Sequence, residues 1–222
     1  MSHFLYHSEE NYVKALYKLE QGAAKKVTNS ALAKTLELNP ATVLEMVRKL
    51  EQRKLVELQP DKAIKLTERG RKKALLTIRK HRLWEVFLVD KLQYAWNEVH
   101  ELAEQLEHIE STDLVNRLEV FLGHPAFDPH GDPIPDKAGK LKHNQTIPLT
   151  QCLLQQHYLV QHFADTSDAF LQYLSQVQIK PGSRLRIVAI NEYDQSYNLL
   201  AGRRSIQISE KAAANILVTE AG

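Results

Sequence analysis

The stretch that most constrains this chain runs from Asn29 to Leu66, because its hydrophobic period changes within one short run. In "NSALAKTLELNPATVLEMVRKLEQRKLV" apolar side chains recur at helical spacing in two blocks: Leu32, Ala33 and Leu36, then Val43, Val47 and Leu50. Ser30 is placed to cap the first block. Asn39 caps the second, with Pro40 at its first position, where a missing N–H costs nothing. About three residues separate the two, which is helix-turn-helix spacing. The pattern then turns from helical to alternating: Val56 and Leu58, then Ile64 and Leu66, flank "QPDK" and predict a hairpin. A helix-turn-helix followed by a hairpin is a winged helix.

Other segments are placed around that core. Ser8, followed by Glu9 and Glu10, is an N-cap with acidic residues in the first turn of a helix that turns Tyr12, Val13, Leu16 and Leu19 inward. A long helical pattern resumes at Thr67 and runs through "RKHRLWEVFLVDKL", and a further helix carries "VHELAEQLEHI". From Asp128 to Lys140, "DPHGDPIPDKAGK" holds three prolines and two glycines and reads as a loop or tether. Beyond it, "KPGSRLRIVAI" and "RSIQIS" alternate like short strands, so a small β-rich module is expected at the C-terminal end.

With 222 residues, 43% hydrophobic and 25% charged, the chain has the composition of an ordinary globular protein. A net charge of +2 names no partner, but the distribution of charge does inform. Between Glu45 and Lys73 ten Lys or Arg stand against five Asp or Glu, on the second helix of the pair, the hairpin and the helix after it. DNA phosphates would meet a winged helix there. Between Val99 and Asp132 the balance inverts: eight Asp or Glu, one Arg and four histidines. The single cysteine, Cys152, rules out an intramolecular disulfide and a thiolate zinc cluster. No secretory leader pattern opens the sequence and no apolar run reaches about 18 residues, so a cytoplasmic protein without a membrane partner is expected.

The histidines and carboxylates of "VHELAEQLEHI" carry the chemistry. On a continuous helix His100, Glu104, Glu107 and His108 share one face. A solvent-facing polar stripe is the bland reading of such a face. Like charges at this spacing repel by a few tenths of a kcal/mol per pair, however, and a divalent cation would offset that. Upstream, His81 and Glu85 in "KHRLWEVF" are again i and i+4. Two such helices packed together can enclose one or two metals with nitrogen and oxygen ligands. Enzyme signatures fail: "HELAE" has Glu104 where a zincin needs its second histidine, and neither helix supplies the Glu-x-x-His pair of a di-iron carboxylate bundle. A non-enzymatic protein is expected.

The winged helix, "HRLWEVFLVDKL", "VHELAEQLEHI" and "FLGHPAFDPHGDPIPDK", taken in order, resemble the diphtheria toxin repressor family of metal-dependent transcriptional repressors, which includes iron and manganese sensors. The resemblance implies a fold that is mainly α with β: a winged-helix DNA-binding domain at 1–73, a helical dimerisation and metal-binding domain at 74–140, and a small SH3-like domain at 141–222. It implies Glu104, Glu107 and His108 as ligands of a regulatory site, and His81, Glu85 and His100 as ligands of an ancillary site, with Asp165 or Asp168 reaching the latter. Asn11 stands where relatives have a Met or Asp ligand, and Lys14 where some manganese sensors have a further carboxylate. On the DNA face Thr42 matches a usual contact position, while Leu44 and Glu45 replace small polar residues. Glu45 could accept from a cytosine N4 amine, and Arg48 or Lys49 would meet a phosphate. The implied partners are a second copy of the chain and a palindromic double-stranded DNA operator. Mn²⁺ is the expected activator, because manganese sensors carry Glu where iron sensors tend to carry Cys at the Glu104 position, and carboxylate suits the harder ion. Fe²⁺ stands as the alternative, and other divalent metals are expected to bind in vitro. A metal-buffering protein or metallochaperone is the competing reading from another class.

Overall fold

The structure, a computed structural model, describes residues 9–22, 26–141 and 145–221, so the expected Ser8 cap lies outside the described residues. The chain divides into two compact units. The first comprises Met1–His81, Glu104–Thr112 and Pro135–Leu141; the second comprises Arg82–Ala103, Asp113–Ile134 and Lys142–Gly222.

In the first unit helix α1 (Glu9–Gln21) opens with two acidic residues, which complement the positive end of its dipole. Helix α2 (Asn29–Leu36) is capped by Thr28 and not by Ser30. Thr28 takes an extended backbone, and its hydroxyl accepts from the Ala31 N–H, so Ser30 falls inside the first turn. Glu37, in a left-handed conformation, ends α2. Helix α3 (Pro40–Gln52) begins after Asn39, whose side chain accepts from the Ala41 N–H, with Pro40 at the first position as expected. Val43, Val47 and Leu50 turn inward and join Tyr12, Leu16, Leu32 and Leu36 in one core.

Strands β1 (Val56–Leu58) and β2 (Ile64–Leu66) form the expected hairpin, with Val56 opposite Leu66 and Leu58 opposite Ile64. Val27 bridges to Ile64 on the other side. Thr67 starts helix α4 (Glu68–Asp90): its hydroxyl accepts from the Gly70 N–H and donates to the Lys54 and Leu55 carbonyls. A Cβ on Gly70 would lie 1.9 Å from the Leu55 carbonyl oxygen, so only glycine lets α4 approach the hairpin this closely.

The second unit contains the latter part of α4, the start of α5 (His100–Leu106) and α6 (Thr112–Phe121), followed by the β module. The strands are β3 (Ile147–Pro148), β4 (His157–Phe163), β5 (Arg184–Ile190), β6 (Tyr197–Ala201), β7 (Arg204–Ile208) and β8 (Ile216–Glu220). They form one antiparallel sheet in the order β3-β8-β4-β5-β6-β7. Helices α7 (Asp168–Gln176) and α8 (Glu210–Ala214) pack on it through Leu171, Leu174, Ala212 and Ala213, closing a core with Tyr158, Leu185, Ile187 and Leu199. The strand patterns read from "KPGSRLRIVAI" and "RSIQIS" become β5 and β7.

Helix α5 departs from the expected continuous helix through Ile109. It ends at Leu106, and Glu107 and His108 occupy the turn that follows, where the Ile109 N–H donates to the Leu106 carbonyl. Leaving the helix frees Glu107 to point into the first unit.

Candidate metal centre

Lys14, on α1, is only 6% exposed, and its ammonium donates to Glu104 Oε1 and Glu107 Oε2, each at 2.6 Å. An ammonium this deeply buried needs such partners, since an unpaired charge cannot stay out of water. The same Glu107 oxygen accepts from His81 Nδ1 at 2.7 Å. α1, α4, α5 and the turn after α5 thus meet at one fully buried carboxylate.

Two atoms beside it are left over. Glu107 Oε1 and His108 Nε2 are both buried and have no hydrogen-bond partner among the described residues. A buried acceptor without a partner costs about 1–3 kcal/mol, so each of these atoms is a place where a further group would be stabilising. One carboxylate oxygen and one imidazole nitrogen, supplied by consecutive residues, form a donor set that fits a divalent cation. The other ring nitrogen, His108 Nδ1, lies 2.8 Å from Glu10 Oε2, and Glu10 Oε1 accepts from Lys80 at 2.9 Å. Burial pushes the Glu10 carboxyl up, but the hydrogen bonds from Lys80 and His108 outweigh it and hold the group below the usual carboxylate range. Asn11 follows Glu10 on α1 and is half-buried.

A separate cluster lies in the second unit, where Glu85, Asp128 and His130 are all buried and offer ligand atoms within 4.8 Å of one another. His100 Nδ1 is 3.4 Å from Glu85 Oε1. Asp128 accepts from the backbone N–H of His130 and of Asp132, at 2.8 and 3.0 Å, which folds "DPHGD" into a tight turn. Gly131 completes the turn at φ +86°, and a Cβ there would sit 1.8 Å from the Gln161 carbonyl oxygen. His130 Nε2 donates to the Trp96 carbonyl at 2.8 Å, leaving Nδ1 on the side of Glu85 and Asp128. Burial and the neighbouring Glu85 and Asp132 push the Asp128 carboxyl up to about 7. Burial alone would lower His130, yet Glu85 and Asp128 raise it to about 9. Asp165 accepts from the Ser167 N–H at 2.9 Å, and Asp168 stands in the first turn of α7.

In the sequence Asp128 and His130 belong to a stretch that reads as a loop or tether. The available signal was an aspartate two residues before a histidine in a Pro/Gly-rich stretch, where an Asx turn holds both side chains in place. Glu10 and Lys80 carried no sequence signal beyond helix polarity.

On α3, Glu45, Arg48 and Lys49 are exposed and Thr42 is half-buried, on the side away from Val43, Val47 and Leu50. Around the second unit's helices Leu92, Tyr94, Leu114, Val120 and Phe121 are exposed, Phe121 by 62%. Among the described residues no helix is long and apolar enough to cross a membrane.

Three families match successive parts of the chain. Residues 5–64 match "iron dependent repressor, N-terminal DNA binding domain", residues 67–136 "iron dependent repressor, metal binding and dimerisation domain", and residues 147–220 the FeoA domain. The iron-dependent repressor IdeR of Mycobacterium tuberculosis is 36% identical over 126 residues, 57% of this chain and 54% of that protein, so the match spans about half of that relative's length. The diphtheria toxin repressor of Corynebacterium diphtheriae is 28% identical over 222 residues, 95% of this chain and 96% of that one. A solved manganese-dependent transcriptional repressor in complex with manganese superposes with a TM-score of 0.86 at 33% identity, covering 96% of this chain and 100% of its own. Winged helix, metal domain and β module follow one another in the same order, and the chain belongs to the diphtheria toxin repressor and IdeR family of metal-dependent transcriptional repressors, whose members are regulators and not catalysts.

Proposed function

We propose that this chain is a metal-activated, DNA-binding repressor of metal-uptake genes, with Mn²⁺ as its activating ion. The observation that carries the reading is the pair of buried atoms Glu107 Oε1 and His108 Nε2, without a hydrogen-bond partner among the described residues and in the same compact unit as the winged helix. Glu107 and His108 would hold the ion, with Glu104 and Asn11 as further oxygen donors beside them. A bound divalent cation supplies positive charge and directional bonds that tie the turn after α5 to its surroundings. Glu10, Lys14 and His81 already anchor that turn to α1 and α4, so the protein's own contribution is a site nearly assembled before the ion arrives. Binding that favours the DNA-competent arrangement shifts the population toward it by its differential affinity.

His81 lies with Glu107 in the first unit; in the second unit Glu85 and His100 remain candidate ancillary ligands, and Asp128 and His130, packed against Glu85, join them as candidates. Thr42, Glu45, Arg48 and Lys49 form the proposed DNA face of α3. The order of the matched families supports a division into three parts, placed at 1–73, 74–140 and 141–222 in this reading, although the second match already begins at residue 67. The oxygen-rich donor set and the manganese bound by the similar solved repressor favour Mn²⁺. The iron dependence of the Mycobacterium relative favours Fe²⁺ as the second reading. The test is selection of bound duplexes from a random DNA pool, with Mn²⁺ and with a chelator. A palindromic sequence should be enriched only with the metal; equal enrichment in both arms overturns the proposal.

A further inference from the structure

We propose that Glu10 is a positioning residue that fixes the tautomer and orientation of His108, and so decides whether that histidine can take a metal. The inference rests on the reading of Glu107 and His108 as ligands. An ionised carboxylate has no hydrogen to donate, so the 2.8 Å contact requires His108 Nδ1 to carry the proton. A neutral ring protonated on Nδ1 has its lone pair on Nε2, the buried atom that has no hydrogen-bond partner among the described residues. Lys80 holds the carboxylate from its other oxygen at 2.9 Å, so Glu10 is itself pinned from α4. Lys80, Glu10 and His108 therefore form a chain of three fixed groups that ends in one available lone pair.

Carboxylate–imidazole–metal arrangements of this kind orient the ring and raise its basicity, and loss of the outer partner typically costs 10–100-fold in metal affinity. Glu10 also stands next to Glu9, whose carboxylate pairs with Lys73 at 3.0 Å and with Arg53, the residue that ends α3. The first turn of α1 thus touches the metal-side histidine through one carboxylate and the end of the DNA-facing helix through the next.

The isosteric variant Glu10→Gln isolates the effect. Its amide can donate to His108 Nδ1, which permits the opposite tautomer and places a proton on Nε2. Two measurements test this. In metal-free parent protein labelled with ¹⁵N-histidine, the His108 resonances, assigned by comparison with His108→Asn, should show Nδ1–H and an unprotonated Nε2. In Glu10→Gln the Nε2–H form should gain population. Titration with Mn²⁺, read from the electron paramagnetic resonance of the free ion, should then show one class of site weakened about tenfold or more. The parent spectrum needs no variant to fold, and an Nε2–H tautomer there overturns the inference. So does a parent that binds Mn²⁺ and a Glu10→Gln variant that binds it equally well. A parent with the Nδ1–H tautomer that takes up no Mn²⁺ overturns the metal reading of the site, and the metal role of Glu10 falls with it.

Discussion

At the scale of single residues, the centre sets one buried ammonium between two carboxylates, which leaves a net negative charge. Lys14 sits between two carboxylates that would otherwise repel each other, and it uses Glu104 Oε1 and Glu107 Oε2. The opposite oxygen of Glu107 remains, so the lysine offsets one of the two negative charges and leaves a donor atom over. A second metal using the same oxygens would meet a buried ammonium at hydrogen-bond range, which argues for one ion at this cluster. In the proposed site Glu104 would be a hard oxygen donor, where a thiolate would select softer ions. Glu104→Cys should therefore shift the activating preference from Mn²⁺ toward Fe²⁺. Operator binding under anaerobic conditions at buffered free Mn²⁺ and Fe²⁺ checks this, and an unchanged ratio between the two ions counts against Glu104 as the selectivity determinant.

At the scale of elements, what the sequence reveals depends on how local each signal is. Asn39, Pro40 and the inward stripe of Val43, Val47 and Leu50 lie within one helix, and the structure realises them as read. Alternation in β1, β2, β5 and β7 is equally local. The sequence points to Ser30 as the cap of α2 and the structure uses Thr28, because both are good capping side chains and only backbone conformation separates them. The end of α5 at Leu106 had no glycine or proline to announce it. Glu107, just past that end, is held by Lys14, 93 residues away in sequence, and such partners have no local signature. The same holds for Asp128 and His130, which pack against Glu85 from a loop that composition alone marks as a linker. Helix α3 allows a quantitative prediction. If Arg48 or Lys49 neutralises a phosphate, its replacement by Ala should lower the slope of log affinity against log salt by about one per contact, doubled in a dimer. Slopes unchanged in both single variants would place the pair off the duplex.

At the scale of the whole molecule, the remaining question is what covers Leu92, Tyr94, Leu114, Val120 and Phe121, which are exposed around the ends of α4 and α6. Phe121 lies 6.3 Å from Phe87 between ring centroids and has the Lys91 ammonium 5.5 Å above its ring, so it is held in place and not merely loose in solvent. A second copy is the occupant that the family's dimerisation domain implies. In a two-fold interface each side chain acts twice, and burying an aromatic ring stabilises by about 1.5–3 kcal/mol per side. A carboxylate in that position instead puts a charge into apolar surroundings on both sides. Phe121→Asp should therefore turn the protein monomeric at micromolar concentration by sedimentation equilibrium, with its metal-free helix content unchanged by circular dichroism. Because Glu10, Lys14, Glu107 and His108 belong to one chain and one unit, the monomer should still take up Mn²⁺. Operator affinity should fall steeply, since a monomer engages one half-site where a dimer engages two. A variant that remains dimeric would place the interface elsewhere, and one that is monomeric yet binds the operator as the parent does would remove the two-fold requirement from the proposed mechanism.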